Sequence, residues 1–171
     1  YSNNTSGATI QGNQIGAVYR AGSWVNLPGP TTGIYIESKS GGEHLIGGGT
    51  VASSDDVLNQ SNVISADNIG IDIVDVLDNS TEIHGNFIGT NPEQDEVFPG
   101  TNGLLINFVY IYGLDGVTVG GGDAGQAGNV IANMSEYGIK LEGDVNKSGL
   151  LDNNVFSRNS FYNNGNNAGD D

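Results

Sequence analysis

The chain contains no cysteine, which excludes disulfide bridges and thiolate metal centres. Basic residues are scarce as well: five Lys and Arg stand against twenty Asp and Glu, for a net charge of −15. A field of that sign repels phosphate backbones and argues against nucleic acid as a partner. No apolar run approaches the roughly 18 residues of a membrane-spanning helix, so no membrane span is expected. The opening Tyr1-Ser2-Asn3-Asn4 does not read as a signal peptide. Twenty-eight glycines and many asparagines place turns at short intervals. Ile, Val and Leu nevertheless recur in short alternating runs, which a disordered acidic tail would lack.

Those runs fall into three columns. The first is a Gly-apolar-X-apolar pattern at Gly33-Ile34-Tyr35-Ile36, Gly70-Ile71-Asp72-Ile73, Gly103-Leu104-Leu105-Ile106 and Gly138-Ile139-Lys140-Leu141. Alternation puts the first and third apolar residues of each run on one face. A second column is centred on Ile10, Ile46, Ile83, Val119 and Leu151, a third on Ile15, Ile64, Ile88, Ile131 and Phe156. First and second centres are 12 residues apart in three places (Ile34 to Ile46, Ile71 to Ile83, Ile139 to Leu151). Second and third are 5 apart in three (Ile10 to Ile15, Ile83 to Ile88, Leu151 to Phe156). A minimal coil of about 24 residues results, the mark of a solenoid whose units stack. Insertions alternate between two positions. Residues 16–32 match 89–102, and 47–61 match 120–128, so the larger repeat is two coils, roughly 70 residues.

An asparagine stands two residues before every third-column centre: Asn13, Asn62, Asn86, Asn129 and Asn154. Stacked amides can hydrogen-bond along the axis, and asparagine suits a sharp corner. Both reasons are structural. The same holds for Gly33, Gly70, Gly103 and Gly138, each offering an unusual φ or a close approach.

The segments Asn62-Val63-Ile64-Ser65, Gly70-Ile71-Asp72-Ile73, Gly85-Asn86-Phe87-Ile88-Gly89-Thr90 and Gly120-Gly121-Gly122 resemble the repeats of right-handed parallel β-helix proteins. That is the pectate-lyase-like superfamily, especially its Asn- and Gly-rich bacterial surface and secreted members. The resemblance runs from about Ser6 to Phe161. It implies an all-β fold: one right-handed parallel β-helix over residues 1–171, with about five coils of three short strands. It leaves function open, because the superfamily includes lyases, hydrolases, epimerases, tailspikes and adhesins.

Lyases of this kind use Arg or Lys as base, often beside Ca²⁺ held by Asp. The cations here are Arg20, Lys39, Lys140, Lys147 and Arg158, and Lys140 alone projects outward from a first-column strand. The resemblance implies paired Asp for hydrolases, yet Asp55-Asp56 falls in an insertion. His44 and His84 lie in different coils, His84 on the outward parity of its strand, with no triad pattern around them. No catalytic residue is assigned. Asp55, Asp56, Asp72 and Asp75 form acidic turns able to hold Ca²⁺ through oxygen ligands, the one cofactor considered.

The first pair of insertions is the best ligand candidate. It lies two coils apart on one side and carries Tyr19, Arg20, Trp24 and Phe98, plus Glu93, Asp95 and Glu96, and aromatic faces beside polar groups suit sugar rings. The competing reading has Trp24, Val25, Leu27 and Phe98 folding down as a satellite core. The expected function is structural or adhesive: a secreted or cell-surface solenoid, non-catalytic, glycan-binding or filament-forming. The alternative is a polysaccharide-active lyase or epimerase. Expected partners are polysaccharide and the chain itself, stacked end to end or continued as a longer solenoid.

Overall fold

The computed structural model describes residues 7–37, 42–48, 59–74, 81–108, 116–121, 125–143 and 153–165. The first coil holds β1 (Thr9–Ile10), β2 (Gln14–Ile15), a hairpin of β3 (Ala17–Arg20) and β4 (Ser23–Asn26), and β5 (Thr32–Glu37). The second holds β6 (Leu45–Gly47), β7 (Val63–Ile64) and β8 (Ile69–Val74). The third holds β9 (Glu82–His84), β10 (Phe87–Ile88) and β11 (Gly100–Phe108). The fourth holds β12 (Thr118–Gly120), β13 (Val130–Ala132) and β14 (Met134–Gly143), and the last holds β15 (Val155–Ser157) and β16 (Ser160–Tyr162).

Strands of like position pair in parallel, giving the sheets β1-β6-β9-β12-β15, β2-β7-β10-β13-β16 and β5-β8-β11-β14. The chain is an all-β parallel solenoid. Four of its coils are complete among the described residues, where five were expected, and the last contributes two strands. Ile34, Ile71, Leu104 and Ile139 stand in register, as the first column predicts. Ile10, Ile46, Ile83 and Val119 do likewise, but the next partner is Phe156, not Leu151. The third column closes on Phe161. The sequence reading of the last coil was therefore displaced by the length of one short corner.

Inward parity fills the interior. Ile46, Ile64, Ile71, Ile73, Ile83, Leu104, Ile106 and Ile131 are fully buried, each worth roughly 1.5–3 kcal/mol of transfer free energy. Isoleucine suits this position because its β-branched side chain packs against the same residue one strand away. The glycine column explains itself by space. None of Gly33, Gly70, Gly103 and Gly138 has positive φ. Instead, a Cβ on any of the first three would sit 2.6 Å from the carbonyl oxygen of the next glycine in the column.

The corner between the second and third columns turns on one left-handed residue, Gly12 (φ 67°), Gly85 (66°) or Arg158 (56°), followed by an asparagine. With Asn62 and Asn129, which end the insertions at this corner, these asparagines form a continuous chain of amides. Asn13 Nδ2 donates to Asn62 Oδ1 (2.9 Å), Asn62 to Asn86 (2.9 Å), Asn86 to Asn129 (2.8 Å) and Asn129 to Asn159 (2.9 Å). The second amide proton goes to a carbonyl of the preceding coil: Ile10, Ile46, Ile83 and Val119 receive from Asn62, Asn86, Asn129 and Asn159. The fifth rung is thus Asn159. Asn154 belongs to the second column, where its Oδ1 accepts from the Val117 amide (3.0 Å).

Asn86 and Asn129 are 0% and 1% exposed. Replacing Asn86 by Ala is expected to cost about 1–3 kcal/mol, because it strands the donors and acceptors of two neighbouring coils. Asn154→Ala, in the half-buried last coil, is expected to cost less. Chemical denaturation of the two variants beside the wild type checks the order.

Candidate functional site

The insertions at 16–32 and 89–102 are built alike. Each leaves the solenoid at a left-handed glycine, Gly16 (φ 65°) or Gly89 (φ 76°). Each is closed by one bond, from Leu27 N to Gly16 O (2.9 Å) or from Phe98 N to Gly89 O (3.0 Å). The first becomes the β3–β4 hairpin, turning at Ala21 and Gly22, both with positive φ, as a two-residue hairpin turn demands. Ser65 Oγ donates to Asn26 Oδ1 (2.7 Å) and ties the hairpin to the second coil. The other insertion winds around Asn91. Its Oδ1 accepts from the amides of Asp95 and Glu96, and its Nδ2 donates to Glu93 Oε2 (3.0 Å) and Asp95 Oδ1 (2.6 Å).

The insertions meet where Trp24 Nε1 donates to Glu93 Oε2 (3.0 Å). Trp24 also pairs across the hairpin with Tyr19, ring centroids 5.5 Å apart and planes tilted by 54°. Beside them opens a cleft of about 280 Å³, lined among others by Asn13, Gln14, Tyr19, Trp24, Ser61 and Glu93. That volume lies just below the usual range for ligand pockets and suits a single ring. Several lining groups hold unspent hydrogen-bonding capacity. Ser61 Oγ is buried without a partner. Gln14 uses its Oε1 for the Tyr19 amide, leaving its NH₂ donors.

Of the four residues singled out as ligand contacts, Tyr19 and Trp24 line the cleft and Arg20 and Phe98 do not. Phe98 is 1% exposed and packs with Ala17, Val63 and Phe87, with Trp24 against this cluster. The satellite core therefore exists, and it supports the cleft. Val25 and Leu27, assigned to the same core by sequence, are exposed. Glu93, one of the polar groups noted in the insertions, lines the cleft too, whereas Gln14 and Ser61 were missed. Nothing local marks them, because the corner and the two insertions converge only through coiling.

Asp55, Asp56 and Asp75 lie outside the described residues. Asp72 faces outward on β8, in register with Tyr35 and Leu105, and the column continues to Lys140 on β14. Burial, then the charge of Glu142, pushes its carboxyl above the usual carboxylate value. Lys140 binds Glu142 (3.1 Å) and lies over the Tyr137 ring, 5.4 Å from its centroid. No group of three or more His, Asp or Glu side chains converges as metal ligands among the described residues.

Both histidines are buried; the outward parity of His84 did not leave it in solvent. His44 Nδ1 accepts from the Ala8 amide (3.1 Å), the role that Asn154 Oδ1 plays three coils later. An acceptor at Nδ1 requires neutral imidazole. Burial lowers the pKa of His44, and that of His84 despite the opposing charge of Glu82. A pKa lowered in the folded state gives stability present above the unfolded value of about 6.5 and lost as pH falls toward the folded values. Melting temperature measured from pH 7.5 to 5 should fall less in His44→Asn, which keeps an acceptor and removes the proton site. A difference of about 3 °C is expected at the acid end.

Searches of protein-family models, curated proteins and solved structures each return no match to this chain.

Proposed function

We propose that the chain is a non-catalytic β-solenoid module of a secreted or cell-surface protein, similar in kind to the pectate-lyase-like β-helices, whose insertions bind a sugar. The cleft carries this reading. An aromatic pair lines a concavity of one ring's size together with a carboxylate, an amide and a buried hydroxyl. Sugars offer apolar ring faces bordered by hydroxyls, and such a site answers both. The stacked coils hold it rigidly, since the hairpin is fixed by Leu27, Asn26 and its packing on the second cluster. A further coil also fits the reading. Leu141, Val155, Phe156 and Phe161 are each 41–50% exposed in the last described coils, an apolar end that another coil of a longer chain or a second copy would cover.

A second reading is a polysaccharide-active enzyme, favoured by the raised carboxyl of Asp72 in the outward column that ends at Lys140.

Trp24→Ala should weaken glycan retention about tenfold while the far-ultraviolet spectrum stays β-rich. A lowered melting temperature with no glycan bound by either form would leave Trp24 a packing residue only. Release of unsaturated uronic products, abolished by Asp72→Asn, would instead establish the enzyme.

A further inference from the structure

We infer that the cleft selects sugars without acidic groups and, among these, favours those bearing a protonated amine. The inference rests on the sugar-binding reading above and names its ligand class. Among the described residues, Glu93 is the one charged side chain lining the cleft. Two donors, Trp24 Nε1 and Asn91 Nδ2, hold its Oε2, so the carboxylate is fixed in place and Oε1 keeps its lone pairs for a ligand. Ser61, 3% exposed, adds an Oγ that both donates and accepts and has no protein partner. Gln14 adds the donors of its side-chain NH₂. Hydroxyls, which give and take hydrogen bonds, match this set.

A uronate does not. Its carboxylate would stand beside Glu93, in a chain of net charge −15, with no cation among the described lining residues to receive it. Arg20 sits at the hairpin turn, paired with Ser23, and does not line the cleft. A protonated amine reverses the sign: it finds an immobilised carboxylate and an aromatic face, the two partners a cation prefers. The cleft thus disfavours the acidic polymers that the enzyme reading would require.

Trp24 is the sole tryptophan, so its fluorescence reports the cleft in the unaltered chain. Tetramers of glucose, glucosamine and galacturonate are titrated at pH 6, with calorimetry in parallel. The expected order is glucosamine tightest, glucose next and galacturonate without effect. Glu93→Gln should reduce the advantage of glucosamine over glucose about threefold, the scale of an exposed ion pair. Galacturonate binding that perturbs Trp24 would overturn the charge selection while the sugar site stands. Glucosamine heats that survive Trp24→Ala would reduce the preference to attraction by an acidic surface and overturn the cleft. Silence from all three tetramers would overturn the sugar-binding reading itself.

Discussion

Strands of two residues, such as β7 and β10, make too few backbone bonds to hold a coil, and the buried column of asparagine amides supplies what they lack. At each corner the chain leaves one sheet and enters another, so carbonyls point along the axis with no strand partner. Buried carbonyls left so would each cost on the order of 1–3 kcal/mol. Asn62, Asn86 and Asn129 answer them, one amide proton to a carbonyl of the coil before and one to the next amide. The same bonds form whether the corner is short, as at Asn86, or carries an insertion, as at Asn62 and Asn129, and they keep the register that stacks Ile46 on Ile83 and Ile64 on Ile88.

This constraint also decides where variation is tolerated. Gly33, Gly70 and Gly103 admit no side chain, since a Cβ there would meet the next coil's backbone. The chain expands between the second and third columns, at 47–61 and 120–128, and between the third and first, where one device is used twice, a left-handed glycine with a closing bond. Coiling then brings together segments far apart in sequence, and Trp24 and Glu93, 69 positions apart, share a hydrogen bond. A binding site on loops held by a rigid scaffold is the usual arrangement for recognition, because the scaffold removes the ordering cost.

Most of the fold was legible in the sequence because side-chain period, glycine spacing and asparagine spacing agree. Where they failed, periodicity itself was the cause. Leu151, Phe156 and Phe161 are evenly five apart, with Asn154 and Asn159 each two residues before an aromatic. Either frame fits a short corner, and only pairing of Val119 with Phe156 decides between them. The hairpin was hidden for another reason: Ala21-Gly22 is a weak turn signal beside Asn-Gly, so β3 and β4 read as loop. The insertions were legible as a pair, and Tyr19 and Trp24, two of the residues singled out in them, line the cleft. Gln14 and Ser61 were not, because unspent hydrogen-bonding capacity is a property of a place and not of a pattern.

Hydrogen exchange of the asparagine side-chain amides, followed by nuclear magnetic resonance, tests the central claim most directly. If the amide column holds the coils in register, the NH₂ protons of Asn62, Asn86 and Asn129 exchange far more slowly than those of exposed Asn68 and Asn163. Equal, rapid exchange at all five would show that these amides are in water, and the account of the corner, the register and the scaffold beneath the cleft would fail together.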